Sequence, residues 1–335
     1  MKNLVTGASG FIGRRLAREL VRRGDEVACL VRRTSRTAPL RDLRVELVVG
    51  DLGDPGSLAA AVKGRDRVFH LAGVVQAVDD AAFDAANARG TANLVEACLR
   101  AAPGLKRFVF VSSIAAAGPS GRGRPVVETD APKPVSAYGR SKLAAEGAVR
   151  ETGTGLPATI VRPPNVLGPG SKELAGAIGL LRRRLVPVIG DERPRTSLVD
   201  VDDLVSALIL AADHPRAVGE TYFVTDGGSY AWPEIMAALA EELGIGRFKL
   251  KIPFGAQLLA AGLAEAASRV TGRQPKVTKE IVRAGRDHFW LYDGSKIERE
   301  LGFKPLYGMR DSIRRAVAEG GASGRRSPRR RPAAR

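Results

Sequence analysis

Short apolar runs and longer amphipathic runs alternate along the first two-thirds of the chain. Residues 3–6 read as a short strand that ends in glycines. Residues 12–23 then place Ile12, Leu16, Leu20 and Val21 at helical spacing before Gly24 stops the run. Residues 26–31 and 45–49 read as the second and third strands, 57–62 as a helix and 67–71 as the fourth strand. A long helix is predicted over 81–101, a fifth strand, apolar after Arg107, over 107–111, a helix over 138–150 and a sixth strand opening at 158–161. Short strands without a polar face belong to a parallel sheet covered on both sides, with right-handed crossovers. The predicted fold class is α/β: a doubly wound, Rossmann-type parallel sheet with a smaller C-terminal substrate lobe.

After Arg162 the pattern loosens. Pro163, Pro164, Gly168, Pro169 and Gly170 make a breaker-rich loop. Residues 201–212 read as another helix and 221–225 as another strand, both placed to return to the sheet. The expected division is a dinucleotide-binding domain over 1–162, with 196–225 returning to it. A substrate lobe follows from 163–195 and 226–320, and then a disordered basic tail over 321–335.

The tail changes how the charge is read. The chain carries a formal +17, but six of its arginines fall in that tail among Ser, Pro, Gly and Ala, a composition that buries nothing. The tail is expected to make at most weak contacts with anionic surfaces, and no specific nucleic acid is expected as partner. Hydrophobic residues make up 44% of the chain, yet no run reaches the roughly 18 apolar residues of a membrane span. The first strand begins at once, leaving no room for a signal peptide, so the expected location is cytoplasmic. Cys29 and Cys98 are too few for a disulfide framework or a zinc site and read as buried free thiols. No metal site is expected.

The turn after the first strand is Thr6-Gly7-Ala8-Ser9-Gly10-Phe11-Ile12-Gly13. Glycines at that spacing let the backbone approach a pyrophosphate while the following helix presents its N-terminus to the phosphate charge. The strand–turn–helix context makes the motif specific for a dinucleotide. Binding is expected along Gly7, Ser9, Gly10, Phe11, Ile12 and Gly13. An NAD site usually carries an acid at the end of the second strand. Here that position holds Arg32 and Arg33, whose forks suit a 2′-phosphate, so NADP(H) is expected over NAD(H). Asp51, ending the third strand, either accepts from the adenine amino group or caps the next segment.

Candidate chemistry gathers at the same sheet edge. Ser112 and Ser113 end the fifth strand, and Tyr138 and Lys142 stand four residues apart on one helical face. A free phenol, with a pKa near 10, is a poor base at neutral pH, and a nearby ammonium favours its ionised form. Tyr138 is then placed to exchange a proton with a substrate oxygen that Ser113 orients.

These motifs together resemble the extended short-chain dehydrogenase/reductase family over almost the whole chain to about residue 318. The matching segments are TGASGFIG at 6–13, GDL at 50–52, HLAG at 70–73, Asn87-Ala88-Arg89-Gly90-Thr91, RPPNVLGPG at 162–170 and VDVDDL at 199–204. The resemblance implies a catalytic set of Ser113, Tyr138 and Lys142, with Lys142 also holding the nicotinamide ribose. It extends the cofactor contacts to Asp51, Leu52, Leu71, Ala72, Tyr138, Lys142 and Pro164. His70 is expected to pack near the cofactor, Asn87 to secure local hydrogen bonds, and Arg182-Arg183-Arg184 to be a solvated helix end.

Within that family the substrate class is read from departures. Nucleotide-sugar epimerases carry Val-Tyr-Gly after the catalytic Ser, where this chain has Ala116-Ala117-Gly118. They also carry an Arg seven residues before the second-lobe Asp; counting back from Asp203 gives Thr196, with Arg195 one step off. Asn165, a candidate substrate contact beside Ser113, is retained. Arg32-Arg33 resembles the dihydroflavonol-reductase and 3β-hydroxysteroid-dehydrogenase-like branches, and the apolar segment 252–267 suits a bulky substrate. The first reading is an NADP(H)-dependent oxidoreductase interconverting a ketone or aldehyde and an alcohol on a small apolar substrate. The alternative is a nucleotide-sugar epimerase or dehydratase with tightly bound NAD(P). A non-catalytic dinucleotide-binding protein comes last, since it would need no proton donor. The expected partners are a small-molecule substrate and, in a homodimer, a second copy of the chain.

Overall fold

Strand β1 (Lys2–Thr6) pairs in parallel with β2 (Glu26–Val31), Leu4 opposite Ala28 and Val5 opposite Cys29. That register sorts the side chains between two layers, because successive residues point to opposite faces. Val5 and Cys29 enter one apolar layer with Leu16 and Leu20 of helix α1 (Phe11–Arg22). Leu4 and Ala28 enter the other, with Leu58 of α2 (Pro55–Val62) and Leu94 of α4 (Gly90–Ala101). Leu16 and Leu20 are wholly buried, each contributing about 1.5–3 kcal/mol of transfer free energy.

The computed structural model describes residues 1–121, 123–182, 187–188, 194–245, 250–251, 254–271, 279, 282–283 and 289–323. Its main sheet continues from β2 to β3 (Glu46–Val49) on one side. On the other side of β1 lie β4 (Arg67–His70), β5 (Arg107–Val111), β6 (Ala158–Arg162) and β9 (Thr221–Phe223). The seven-stranded order is β9-β6-β5-β4-β1-β2-β3, every pair parallel. Strand order reverses between β1 and β4, which opens a crevice at the carboxyl ends of the strands. Helix α6 (Ala137–Arg150) adds Ala145 and Val149 to the α2/α4 layer, and α8 (Val201–Asp213) packs on the α1 layer through Leu204 and Leu208.

The predicted single helix over 81–101 is divided. Helix α3 (Asp80–Phe83) leads into a π-helical turn (Asp84–Arg89) and then α4. The wide turn coincides with Asn87, whose side chain reaches both a loop and α6, and such turns mark functional positions in many helices. A further single-turn helix not predicted, α5 (Ile114–Ala117), follows β5, with Ser113 as its N-cap.

The remaining helices form a smaller lobe. Leu174 and Leu181 of α7 (Lys172–Arg182), Ile235 and Leu239 of α9 (Trp232–Glu242) and Ile313 of a C-terminal helix (Met309–Ser323) share a third apolar cluster. Two short strands, β7 (Asn165–Leu167) and β8 (Leu198–Asp200), run in parallel between lobe and sheet. The C-terminal helix carries the chain through 321–323, so the expected tail begins inside it; residues 324–335, Arg183 and Arg184 lie outside the described residues. Among the described residues no helix is long and apolar enough to cross a membrane. Cys29 and Cys98 are buried and unpaired, and burial pushes each thiol up to about 12.

Candidate active site

The glycine turn is built by backbone contact. Gly7 adopts φ +70°, and a Cβ there would stand 2.7 Å from the Ala72 nitrogen, at the end of β4. A Cβ on Gly13 would fall 2.3 Å from the Gly7 carbonyl. The turn therefore closes on itself and on Leu71-Ala72, leaving a groove that only glycine permits. Helix α1 opens there with Gly10 as N-cap, no side-chain cap and no acid in its first turn. Its free N–H groups and positive end fit a pyrophosphate. The dinucleotide expected from the sequence thus fits the residues present. Asp51 accepts from the Gly53 N–H at 2.8 Å, while Asp54, not Asp51, caps α2 through Gly56.

Ser113, Tyr138 and Lys142 meet where β5 ends against α6. Ser113 Oγ accepts from the Ala115 N–H at 3.1 Å and stands near the Tyr138 phenol. Burial pushes that phenol above its ordinary value, and the Ser113 hydroxyl pulls it back. Phe83 packs on the Tyr138 ring with centroids 6.0 Å apart. Lys142 is buried; its Nζ donates to the Val111 carbonyl at 2.8 Å and lies 4.4 Å from the centre of the Phe110 ring. Burial brings this ammonium down to about 8, against the opposing pull of Glu146. The pairing expected from the sequence takes an indirect form: the ammonium bonds Val111, with no direct Lys142–Tyr138 hydrogen bond among the described residues.

A chain of polar contacts supports the centre from behind. Asn87 accepts from the Val74 N–H at 2.8 Å and donates to the Val74 carbonyl at 3.0 Å and to Ser141 Oγ at 2.9 Å. Ser141 in turn donates to the Tyr138 carbonyl at 2.8 Å. Thr91 spends its proton on the Asn87 carbonyl at 2.6 Å, so His70 Nε2 must be the donor in its 2.9 Å contact with Thr91. His70 Nδ1 then accepts from Thr6 at 2.7 Å, and Thr6 accepts from the Ala72 N–H. His70 is fixed as one neutral tautomer, and burial with the nearby Lys142 charge depresses it to about 3. It ties Thr6, at the start of the glycine turn, to α4.

One buried charge stands outside the residues expected from the sequence. Glu146, fully buried and one turn beyond Lys142, accepts from Ser112 Oγ at 2.5 Å, from Arg162 Nε at 2.8 Å and Nη2 at 2.6 Å, and from Arg150 at 2.8 Å. Burial raises its carboxyl, but Arg162, Ser112 and Arg150 overcome that and hold it below the ordinary range. The i, i+4 spacing from Lys142 was the available signal.

Around the entrance, Pro164 is buried and Asn165 exposed, with Asn165 Nδ2 3.5 Å from Thr196 Oγ1. Arg195 is committed to Ser229, at 2.8 Å from its hydroxyl, and to Glu234 at 3.2 Å. Asp203 accepts from the Leu306 and Tyr307 N–H groups, a structural role. Arg182, ending α7, is exposed. Among the described residues no cluster of His, Cys, Asp or Glu is placed to hold a metal.

The profile of the NAD dependent epimerase/dehydratase family matches residues 3–224. A ceramide reductase of Caulobacter vibrioides is 35% identical over 268 residues, covering 80% of this chain and 78% of that protein. DesIV, a dTDP-glucose 4,6-dehydratase from Streptomyces venezuelae solved with NAD and TYD bound, is 27% identical at TM-score 0.79, covering 96% of this chain and 97% of that one. MoeE5, solved with UDP-glucose and NAD, is 26% identical at TM-score 0.78, covering 96% and 99%. Both solved structures hold NAD, which overturns the expected NADP(H) preference. The physical reason lies at Arg32 and Arg33: both are exposed, so their place after β2 is equally that of solvated surface charge. The solved structures also stand nearer to the nucleotide-sugar alternative than to the simple ketone reductase expected first. With more than half of its length inside the profile match, the chain belongs to the NAD dependent epimerase/dehydratase family.

Proposed function

We propose that the chain uses NAD(H) to interconvert a carbinol and a ketone at the Ser113/Tyr138/Lys142 centre. The single observation that supports this reading is the Tyr138 phenol, placed near Ser113 on the helical face that carries the buried Lys142. In this reading the dinucleotide lies along Gly7, Ser9, Gly10, Phe11, Ile12, Gly13, Asp51, Leu52, Leu71, Ala72 and Pro164. Bound there, the nicotinamide supplies hydride exchange. Tyr138 gives a proton to the substrate oxygen, or takes one from it, as charge develops on that oxygen. Ser113 holds the oxygen in line. Lys142 contributes its positive charge and a ribose contact. Residues 163–195 and 226–320 shape the substrate side, with Asn165 at its edge.

For the substrate, a nucleotide sugar is the first reading, with epimerase or dehydratase outcome; DesIV and MoeE5 support it. A second reading is net reduction of an apolar ketone, as in the dihydroflavonol-reductase and 3β-hydroxysteroid-dehydrogenase-like branches. Arg195 favours it, because a guanidinium engaged with Ser229 and Glu234 is not free to grip a diphosphate. Incubation with UDP-glucose or dTDP-glucose and NAD, with product analysis, tests the first reading. Consumption of NADH on aliphatic ketones, with no change in the nucleotide sugars, would replace it with the second.

A further inference from the structure

We propose that Glu146, outside the Ser/Tyr/Lys set, is a positioning residue of the reacting centre. Its buried carboxylate clamps the end of β5 through Ser112 and sets a compensating negative charge one helical turn beneath Lys142. The proposal rests on the reading that Lys142 serves the centre.

Two geometric facts carry it. Ser112 immediately precedes Ser113, and its hydroxyl donates to Glu146 Oε1 at 2.5 Å. Arg162 ends the neighbouring strand β6 and binds the same carboxylate through both Nε and Nη2, at 2.8 and 2.6 Å. One carboxylate therefore joins β5, β6 and α6 at the level where Ser113 and Lys142 must be held. A fork of this kind fixes orientation as well as charge.

The second fact is the company Lys142 keeps. From β5 it meets the Val111 carbonyl and the Phe110 ring. From β4 it faces His70, held neutral. From the π-helical turn comes Asn87, an uncharged amide, whose Oδ1 lies with Lys142 Nζ around Gly73. On its own helix Tyr138 is a neutral phenol, and Glu146 is the anion that favours the ammonium. Beyond Glu146 stand the cations Arg162 and Arg150, both paired to it. Among the described residues Glu146 is the anion that favours the buried ammonium; its removal leaves three cations, Lys142, Arg162 and Arg150, without that charge.

The test follows the titration of Lys142 by NMR of protein with isotope-labelled lysine, assigned with Lys142→Arg; it needs no substrate. Glu146→Gln is expected to shift that titration down by roughly one pH unit or more. Arg162→Gln is expected to shift it up, because the carboxylate then loses a competing cation. The opposite signs separate an electrostatic role from general loosening, and Arg162→Gln carries the test if Glu146→Gln fails to fold. A Lys142 titration unmoved in a folded variant overturns the proposal. In turnover assays the alkaline limb should move with the titration, and Glu146→Asp should restore part of it. Absence of turnover in the unaltered protein with an intact titration shift would count against the proposed function alone.

Discussion

Lys142 Nζ and the Val111 carbonyl oxygen are joined by a 2.8 Å hydrogen bond, buried within the sheet edge. The bond holds a charged side chain at the end of a strand whose next two residues are Ser112 and Ser113. It also satisfies one donor of a group that burial has brought down to about 8. Position and protonation of Lys142 are thus set by the same packing.

Turnover should therefore fall as pH rises through about 8. The sign follows from the group: Lys142 is charged below that value and neutral above it, and the mechanism uses the charge. A kcat profile between pH 6 and 10 checks this. A flat profile through pH 9 contradicts a role for the ammonium.

Tyr138→Phe should lower turnover about 10²–10⁴-fold, the usual worth of a general acid–base group. NAD binding should persist, because the glycine turn and not the phenol carries the dinucleotide. Calorimetric titration of NAD beside the turnover assay separates the two effects. Near-normal turnover in the variant would remove Tyr138 from the mechanism.

Gly13→Ala should destabilise the protein by about 1–3 kcal/mol and weaken NAD binding. The added methyl has no room, 2.3 Å from the Gly7 carbonyl and 2.8 Å from Ala8 Cα, so α1 must lift from the turn. Gly104→Ala, where nothing lies within 4 Å, is the neutral control. Thermal melts and NAD titration of both variants check the contrast; equal behaviour would show that the turn is not close-packed.

His70 makes stability depend on pH. Its folded value of about 3 lies below the ordinary 6.5, so its contribution is complete above pH 6.5 and is lost as pH falls toward 3. The slope approaches about 1.4 kcal/mol per pH unit once the unfolded imidazole is protonated. His70→Gln should be less stable at pH 7, having lost bonds to Thr6 and Thr91, and should show a flatter slope between pH 6.5 and 5. Urea unfolding at several pH values measures both, and an unchanged slope in His70→Gln would exclude His70 as the source.

The sequence by itself determined the features that are local in the chain. The glycine spacing of 7–13, the apolar strand ending in Ser112-Ser113 and the Tyr138/Lys142 face each depend on residues a few positions apart. Strand and helix periodicity expose such patterns directly. The parallel sheet was legible for the same reason, since its strands lack a polar face. Tertiary structure alone decided which polar groups lose water and which distant partners they meet. Glu146 meets Ser112 and Arg162 across separations of 34 and 16 residues. His70 becomes a fixed neutral tautomer only between Thr6 and Thr91. Arg32 and Arg33, read as a phosphate fork from their place after a strand, are exposed, and Arg195 is committed to Ser229 and Glu234. Charge and hydrogen bonding take their strength from desolvation and from exact partners, and both arise only when segments far apart in sequence are packed together.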